Sequence, residues 1–181
     1  MRVIGIDPGS RVCGYGVLES GNGGVTHIAS GCITASPGLP VSKRLSIIYD
    51  GLLGVIKGHS PLIMSVESMF FSKNARSAIT LGEARGVALL AASMSGIDVC
   101  EYSPTKVKLA LTGRGRASKS DVRRMITMLL EVPEFESEDA SDAVAIALCH
   151  IHISRIEQKL GKEFLQPRRK RRRFTLDDIP S

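Results

Sequence analysis

Val3-Ile4-Gly5-Ile6-Asp7-Pro8-Gly9-Ser10-Arg11-Val12-Cys13-Gly14-Tyr15-Gly16-Val17-Leu18-Glu19 is the stretch from which the architecture is read. The apolar run Val3 to Ile6 stops at Asp7-Pro8-Gly9-Ser10, residues that favour a tight reversal, and a second β-like run follows from Tyr15 to Glu19. The Gly-rich Ser20 to Gly24 then leads into a third run, Val25 to Thr34. Consecutive strands joined by tight turns pair antiparallel, so the opening of the chain is predicted to be a three-stranded meander.

Beyond Pro37-Gly38-Leu39-Pro40, Leu45, Ile48, Leu52 and Ile56 recur at helical spacing until Gly58 to Pro61 breaks the pattern. Leu62 to Glu67 reads as a buried strand, Met69 to Lys73 as a loop, and Asn74 to Ser95 as an Ala- and Gly-rich helix. On that helix Ala78, Gly82 and Gly86 stand four apart, a side with almost no bulk that suits ordinary helix packing or, more specifically, a dimer seam. Ile97 to Tyr102 is a fifth strand, Pro104 to Leu111 a short helix, and Thr112 to Ala117 a basic loop with two glycines. Ser118 and Asp121 have capping-box spacing ahead of Val122, Ile126, Leu129 and Leu130, with Pro133 closing that helix. Ala140, Val144, Leu148 and Ile151 carry a last helix to about Leu160. A meander followed by helix, strand, helix, strand and helices predicts an α/β fold, a mixed five-stranded sheet flanked by helices on both faces.

With 181 residues, 43% of them apolar, the chain suits one domain with its own core. Apolar runs such as Val87 to Ala92 fall far short of the ~20 residues of a membrane-spanning helix, and the start lacks a secretion signal, so a soluble cytoplasmic protein is expected. Cys13, Cys32, Cys100 and Cys149 stand singly, which argues against disulfides and cysteine-cluster zinc and for small reduced hydrophobes. The run Arg168-Arg169-Lys170-Arg171-Arg172-Arg173 accounts for the whole formal charge of +6, so the body is neutral overall. The organisation predicted is a domain over residues 1–160 and a basic, disordered tail over 161–181.

Chemistry is carried by acids at structural ends. Asp7 closes one apolar strand and Glu67 another, while Asp139 and Asp142, three apart at a helix start, project from one face. Each has an ordinary explanation alone: turn chemistry, solvation, helix capping or the helix dipole. Brought together they would repel strongly unless divalent cations bound, which predicts an oxygen-lined Mg²⁺ site able to hydrolyse phosphodiesters. Lys106, Lys108, Arg114, Arg116 and Lys119, with Lys73 and Arg76 beside the Glu67 segment, could hold a phosphate backbone. Phe70 and Phe71 could stack on bases or belong to the core. His150 and His152 with Cys149 are rejected as zinc ligands, because residues two apart on a helix diverge.

Gly5-Ile6-Asp7-Pro8-Gly9-Ser10-Arg11 with Gly14-Tyr15-Gly16-Val17, Val66-Glu67 before Phe70, Lys73-Asn74-Ala75, Gly82-Glu83-Ala84-Arg85-Gly86-Val87 and Asp139-Ala140-Ser141-Asp142-Ala143 together resemble the RuvC family of bacterial Holliday junction resolvases, from Arg2 to about His152. The resemblance implies a ribonuclease H-like fold, a homodimer, and symmetric Mg²⁺-dependent cutting of two opposing strands of a four-way DNA junction, in recombination and repair alongside RuvA and RuvB. It also implies that Asp7, Glu67, Asp139 and Asp142 are the metal-binding catalytic acids, that Lys108 and Lys119 contact DNA near the scissile phosphate, and that Phe70 lies at the junction centre. The mechanism expected has Asp7 bridging two Mg²⁺ ions, Glu67 on one, and Asp139 or Asp142 on the other, with Mn²⁺ as the alternative metal. The tail from Gly161 departs from the family core. Two rivals are an actin- or sugar-kinase-like phosphotransferase, which lacks an evident second Gly-rich nucleotide loop here, and a non-catalytic junction-binding protein of the same fold.

Overall fold

A computed structural model describes residues 1–68, 75–132 and 135–160. β1 (Arg2–Asp7) pairs antiparallel with β2 (Val12–Gly21), and β2 with β3 (Gly24–Thr34), the meander read from the sequence. β1 also runs parallel to β4 (Ile63–Glu67), and β4 parallel to β5 (Asp98–Tyr102), which gives the order β3-β2-β1-β4-β5 in a mixed sheet. β2 starts at Val12, earlier than the apolar pattern suggests, because the pairing of Asp7 with Gly14 continues outward to Val12 with Thr34.

Helices cover both faces. α1 (Val41–His59) and α2 (Ala75–Met94) are the crossovers into β4 and β5, and they bury Ile48, Leu52, Ala88 and Ala91 against Ile4, Ile6, Val17, Met64 and Val66. The buried stripe of α1 begins at Arg44, where the sequence pattern had Leu45; Arg44, Ile48, Leu52 and Ile56 share one face at intervals of four. On the other face α3 (Pro104–Thr112), α4 (Lys119–Leu130) and α5 (Glu138–Leu160) pack Val107, Ile126, Val144 and Leu148 over Val3, Leu18 and Tyr102. α5 is buried on almost all sides from Ala140 to Ile151, held between the sheet and the two shorter helices.

Local chemistry sets the ends. Ser103 caps α3 by accepting from the Lys106 N–H, with Pro104 at the first helical position and Gly113 left-handed after the last. The Ser118–Asp121 capping box forms as predicted. α4 ends at Leu130 with Glu131 left-handed, while Pro133 lies outside the described residues. Burial pushes the thiols of Cys13 and Cys149 up to about 12, as packed, unreactive cysteines should be. Among the described residues no helix is long and apolar enough to cross a membrane. Residues 161–181, the expected tail, lie outside the described part.

Candidate active site

Two strand ends supply the first pair of acids. Ile6 is registered with Val66, so Asp7 and Glu67 stand one step further along on adjacent parallel strands. Neighbouring strands are about 4.8 Å apart, and alternation turns Gly5 and Asp7 to the same face as Ser65 and Glu67, the face beneath α5. Sequence spacing of sixty residues thus becomes side-by-side placement.

α5 supplies the second pair, and glycines let it come close enough. A Cβ on Gly5 would collide with the Ala143 carbonyl, one on Gly14 with the Asp139 carbonyl, and one on Gly16 with Val144. Gly5 and Gly16 are cross-strand partners, and Gly14 is the partner of Asp7 itself. The first turns of α5 therefore rest directly on backbone beside Asp7. The N-cap is Ser137, whose Oγ accepts from the Ala140 N–H at 3.1 Å. That removes capping as the explanation for Asp139 and Asp142. The three glycines stand in the stretches that carry the family resemblance, but the sequence alone assigns neither them nor Ser137 a part in seating α5. The signal was there in Gly5, placed inside an apolar strand, and in the alternating Gly14 and Gly16.

Asp7, Glu67 and Asp142 line one cavity of about 280 Å³ with Lys108 and Lys119, against apolar walls that include Val107 and Val122. Lys119 Nζ donates to Asp142 Oδ2 at 2.7 Å. Burial is the main reason the Asp7 carboxyl is pushed up to about 7, followed by the negative charges of Asp142, Glu67 and Asp139, with Lys119 opposing. Glu67 is also raised, by burial first and Asp142 second. Lys119 is held above its ordinary value by its hydrogen bond to Asp142. Asp139 does not line the cavity but acts on Asp7 through space. Among the described residues no three acid, His or Cys side chains are grouped as a finished metal cage, and Asp142 is engaged by Lys119. What converges is a set of mutually repelling carboxylates around one polar cavity.

The remaining predicted residues are dispersed. Arg114 is exposed in the loop between α3 and α4, 3.9 Å from Asp121 Oδ2. Phe70 and Lys73 lie outside the described residues, as does the side chain of Arg76. His150 Nδ1 is hydrogen-bonded with Tyr102 Oη at 2.7 Å and its Nε2 with Ser154 Oγ at 3.2 Å, while His152 Nδ1 meets the Ala110 carbonyl at 3.2 Å. Both rings are thus occupied with packing partners on separate neighbours.

Comparison with known proteins fits this geometry. The family model of crossover junction endodeoxyribonuclease RuvC matches residues 3–150. A crossover junction endodeoxyribonuclease RuvC of Pelobacter propionicus is 47% identical over 152 residues, 84% of this chain and 86% of the relative. That of Pelotomaculum thermopropionicum is 44% identical over 161 residues, 88% of this chain and 98% of the relative. Among solved structures, Thermus thermophilus RuvC in complex with Holliday junction substrate superposes with a TM-score of 0.82 at 34% identity, covering 86% of this chain and 96% of that one. The yeast mitochondrial Holliday junction resolvase, at 14% identity and a TM-score of 0.62, shares the fold.

Proposed function

The chain belongs to the crossover junction endodeoxyribonuclease RuvC family, and from that membership we propose that it resolves four-way DNA junctions by metal-dependent hydrolysis of one phosphodiester bond in each of two opposing strands. The observation that carries the reading is Asp7, a carboxyl pushed to about 7 by burial and by three other acids at the converging ends of β1, β4 and α5. Such a cluster is electrostatically unfinished without positive charge. Among the described residues its cavity offers oxygen donors and no Cys or His, which fits a hard cation such as Mg²⁺ or Mn²⁺. Asp7, Glu67 and one or both of Asp139 and Asp142 would hold it. The chemistry a divalent metal would supply there is activation of a water towards phosphorus and stabilisation of the departing oxygen.

The chain's own groups do the rest. Asp7, on the central strand, is the acid that all the others influence, and it would be the ligand best placed to hold metal together with the acids of either neighbour. Lys119, whose side chain is 68% exposed, screens Asp142 and can turn its ammonium to an incoming phosphate. Lys108, on the same wall, adds a second cation, and the apolar Val107 and Val122 limit water. Cleavage leaves a 5′-phosphate and a 3′-hydroxyl.

Paired nicks require two copies of the site. The outward side of α2 supports a dimer seam there: Ile79, Leu90 and Met94 are exposed and nothing lies within 4 Å of a Cβ at Gly86. Residues 1–160 form the nuclease domain in this reading, working in the cytoplasm with RuvA and RuvB, and 161–181 a basic tail. The test is Mg²⁺-dependent cutting of a synthetic four-way junction beside linear duplex and ATP controls. Symmetric paired nicks in the junction alone are expected; no cutting, or ATP turnover, would overturn the assignment.

A further inference from the structure

A second cavity, about 490 Å³, opens at the same end of the sheet, lined by Ser10 and Arg11 of the β1–β2 turn, Arg44 of α1, and Ser77 and Thr80 of α2. Its charge is the reverse of the acid site. Arg44 is only 8% exposed, and its Nε is shut off from solvent with no hydrogen-bond partner. Arg2 and Arg85 also have a lone Nε, but each gives a terminal nitrogen to a carboxylate, Glu19 or Glu101. Neither Arg44 nor Arg11 makes an ion pair among the described residues. The helix ends add to the field. α1 starts after Pro40 with no side-chain cap and no acid in its first turn, and α2 has no acid in its first turn either.

The ordinary account of a buried arginine is that its stem extends an apolar stripe while its head snorkels to water. The stem does continue the Ile48, Leu52, Ile56 stripe. A snorkelling head would not leave Nε dry and unpaired, because burying a charged donor without a partner is costly. A guanidinium placed this way, with a second beside it, is complementary to a phosphate, which accepts two parallel N–H bonds.

We propose that Arg44 and Arg11 form a seat for a backbone phosphate of the junction strand that enters the acid site, on the opposite face of the sheet end. Resting on the reading of the protein as a junction nuclease, this assigns a strand-positioning role to residues away from the acids. Ser10 is three residues beyond Asp7, at most about 11 Å of chain, so the seated phosphate lies within a few nucleotides of the scissile one. Two fixed points on one strand would define the register of the cut.

The test uses the full-length protein in EDTA, a labelled four-way junction, and two variants. Arg44→Met keeps an unbranched apolar stem; Arg11→Gln alters an exposed residue. Each is expected to weaken junction binding by roughly tenfold and to lower the slope of log affinity against log salt by about one phosphate contact. Arg44→Met should melt at the same temperature as the parent or higher, since it removes an unpaired buried charge. A clear fall in melting temperature for Arg44→Met, with normal binding by Arg11→Gln, would make Arg44 a structural anchor and overturn the proposal. Unchanged affinity and slope in both variants would do the same. So would a loss of binding that tracks a weaker dimer in sedimentation, which would give the seat to an acid of a second copy. Inorganic phosphate at matched ionic strength should leave the parent's melting temperature unchanged; a rise lost in Arg44→Met, with junction binding intact, would assign the cavity to a free anion instead. If the unaltered protein fails to bind junctions at all, the nuclease reading itself has failed, a separate result.

Discussion

Asp7, half-buried, and His150, buried, are polar groups on the same side of the sheet, one beneath the start of α5 and the other within it, yet their surroundings differ in kind. His150 has a partner for each ring nitrogen, Tyr102 on β5 and Ser154 one turn along α5. Burial holds it below its ordinary pKa, so it stays neutral. Asp7 is surrounded by other acids, with Lys119 the cation that opposes them, and its carboxyl is forced up to about 7. A polar group buried for the sake of the fold comes with its partners inside the chain. A polar group whose environment works against its own charge points to something outside the chain. The Arg44 cavity is the second instance of that kind, with the sign reversed.

The largest effect expected from breaking this contrast is Asp7→Asn. It should lower junction cleavage by about a thousandfold or more while junction affinity in EDTA changes little, since no cation contact to DNA is removed. Full cutting by the variant would refute the site. The same substitution should stabilise the metal-free protein at neutral pH. Asp7 titrates near 3.8 when unfolded and near 7 when folded, so the folded state binds more protons between those values. Stability is therefore lost as pH rises through that window, with an upper limit on the order of 4 kcal/mol, and Glu67 acts in the same direction. Chemical denaturation of the metal-free protein from pH 4 to pH 8 should show the decline, and Asp7→Asn should flatten most of it. Added Mg²⁺ should recover stability at pH 8 in the parent and far less in the variant.

Next in size is Gly14→Ala. The new methyl group would have to displace the Asp139 carbonyl, and with it the start of α5 from Asp7. A loss of about 2–4 kcal/mol in unfolding free energy is expected, together with a drop in cleavage that persists at temperatures where the variant is fully folded. A variant that is destabilised yet cuts normally would show that close seating of α5 serves packing alone.

The order of elements and the acids were legible because they rest on local signals. Turn residues at Asp7 to Ser10 and Ser20 to Gly24 mark the meander, and helical spacing marks α1, α4 and α5. Asp7 and Glu67 could be placed at strand ends from the apolar runs before them. What the pattern could not show is contact between distant segments. Gly5, Gly14 and Gly16 have meaning only once α5 lies on them, and Ser137 becomes a cap only because the helix starts one residue later. Helical spacing of apolar residues points to Leu45 and not to Arg44, because a hydrophobicity pattern assigns a buried stripe to the nearest apolar residue. Charge at a buried position is the kind of exception that local rules miss and that function produces.

The smallest effect probes the satisfied half of the contrast. Tyr102→Phe removes the hydroxyl that meets His150 Nδ1 and leaves a buried ring nitrogen without that partner. The cost should be about 1–3 kcal/mol in unfolding free energy, because an unpaired buried polar atom forfeits its hydration. Cleavage at a temperature where the variant is folded should be unchanged, since His150 does not line the acid cavity. The pH response separates the two regions further. His150 is depressed in the fold, so the unfolded chain binds more protons as pH drops below about 6.5, and this group lowers stability towards acid, opposite in sign to Asp7. In the Asp7→Asn background that acid-side loss should stand out, and adding His150→Gln should reduce it. If Tyr102→Phe instead abolished cutting without loss of stability, the Tyr102–His150 pair would belong with the functional groups, and the division between internally paired and externally completed polar residues would fail on this helix.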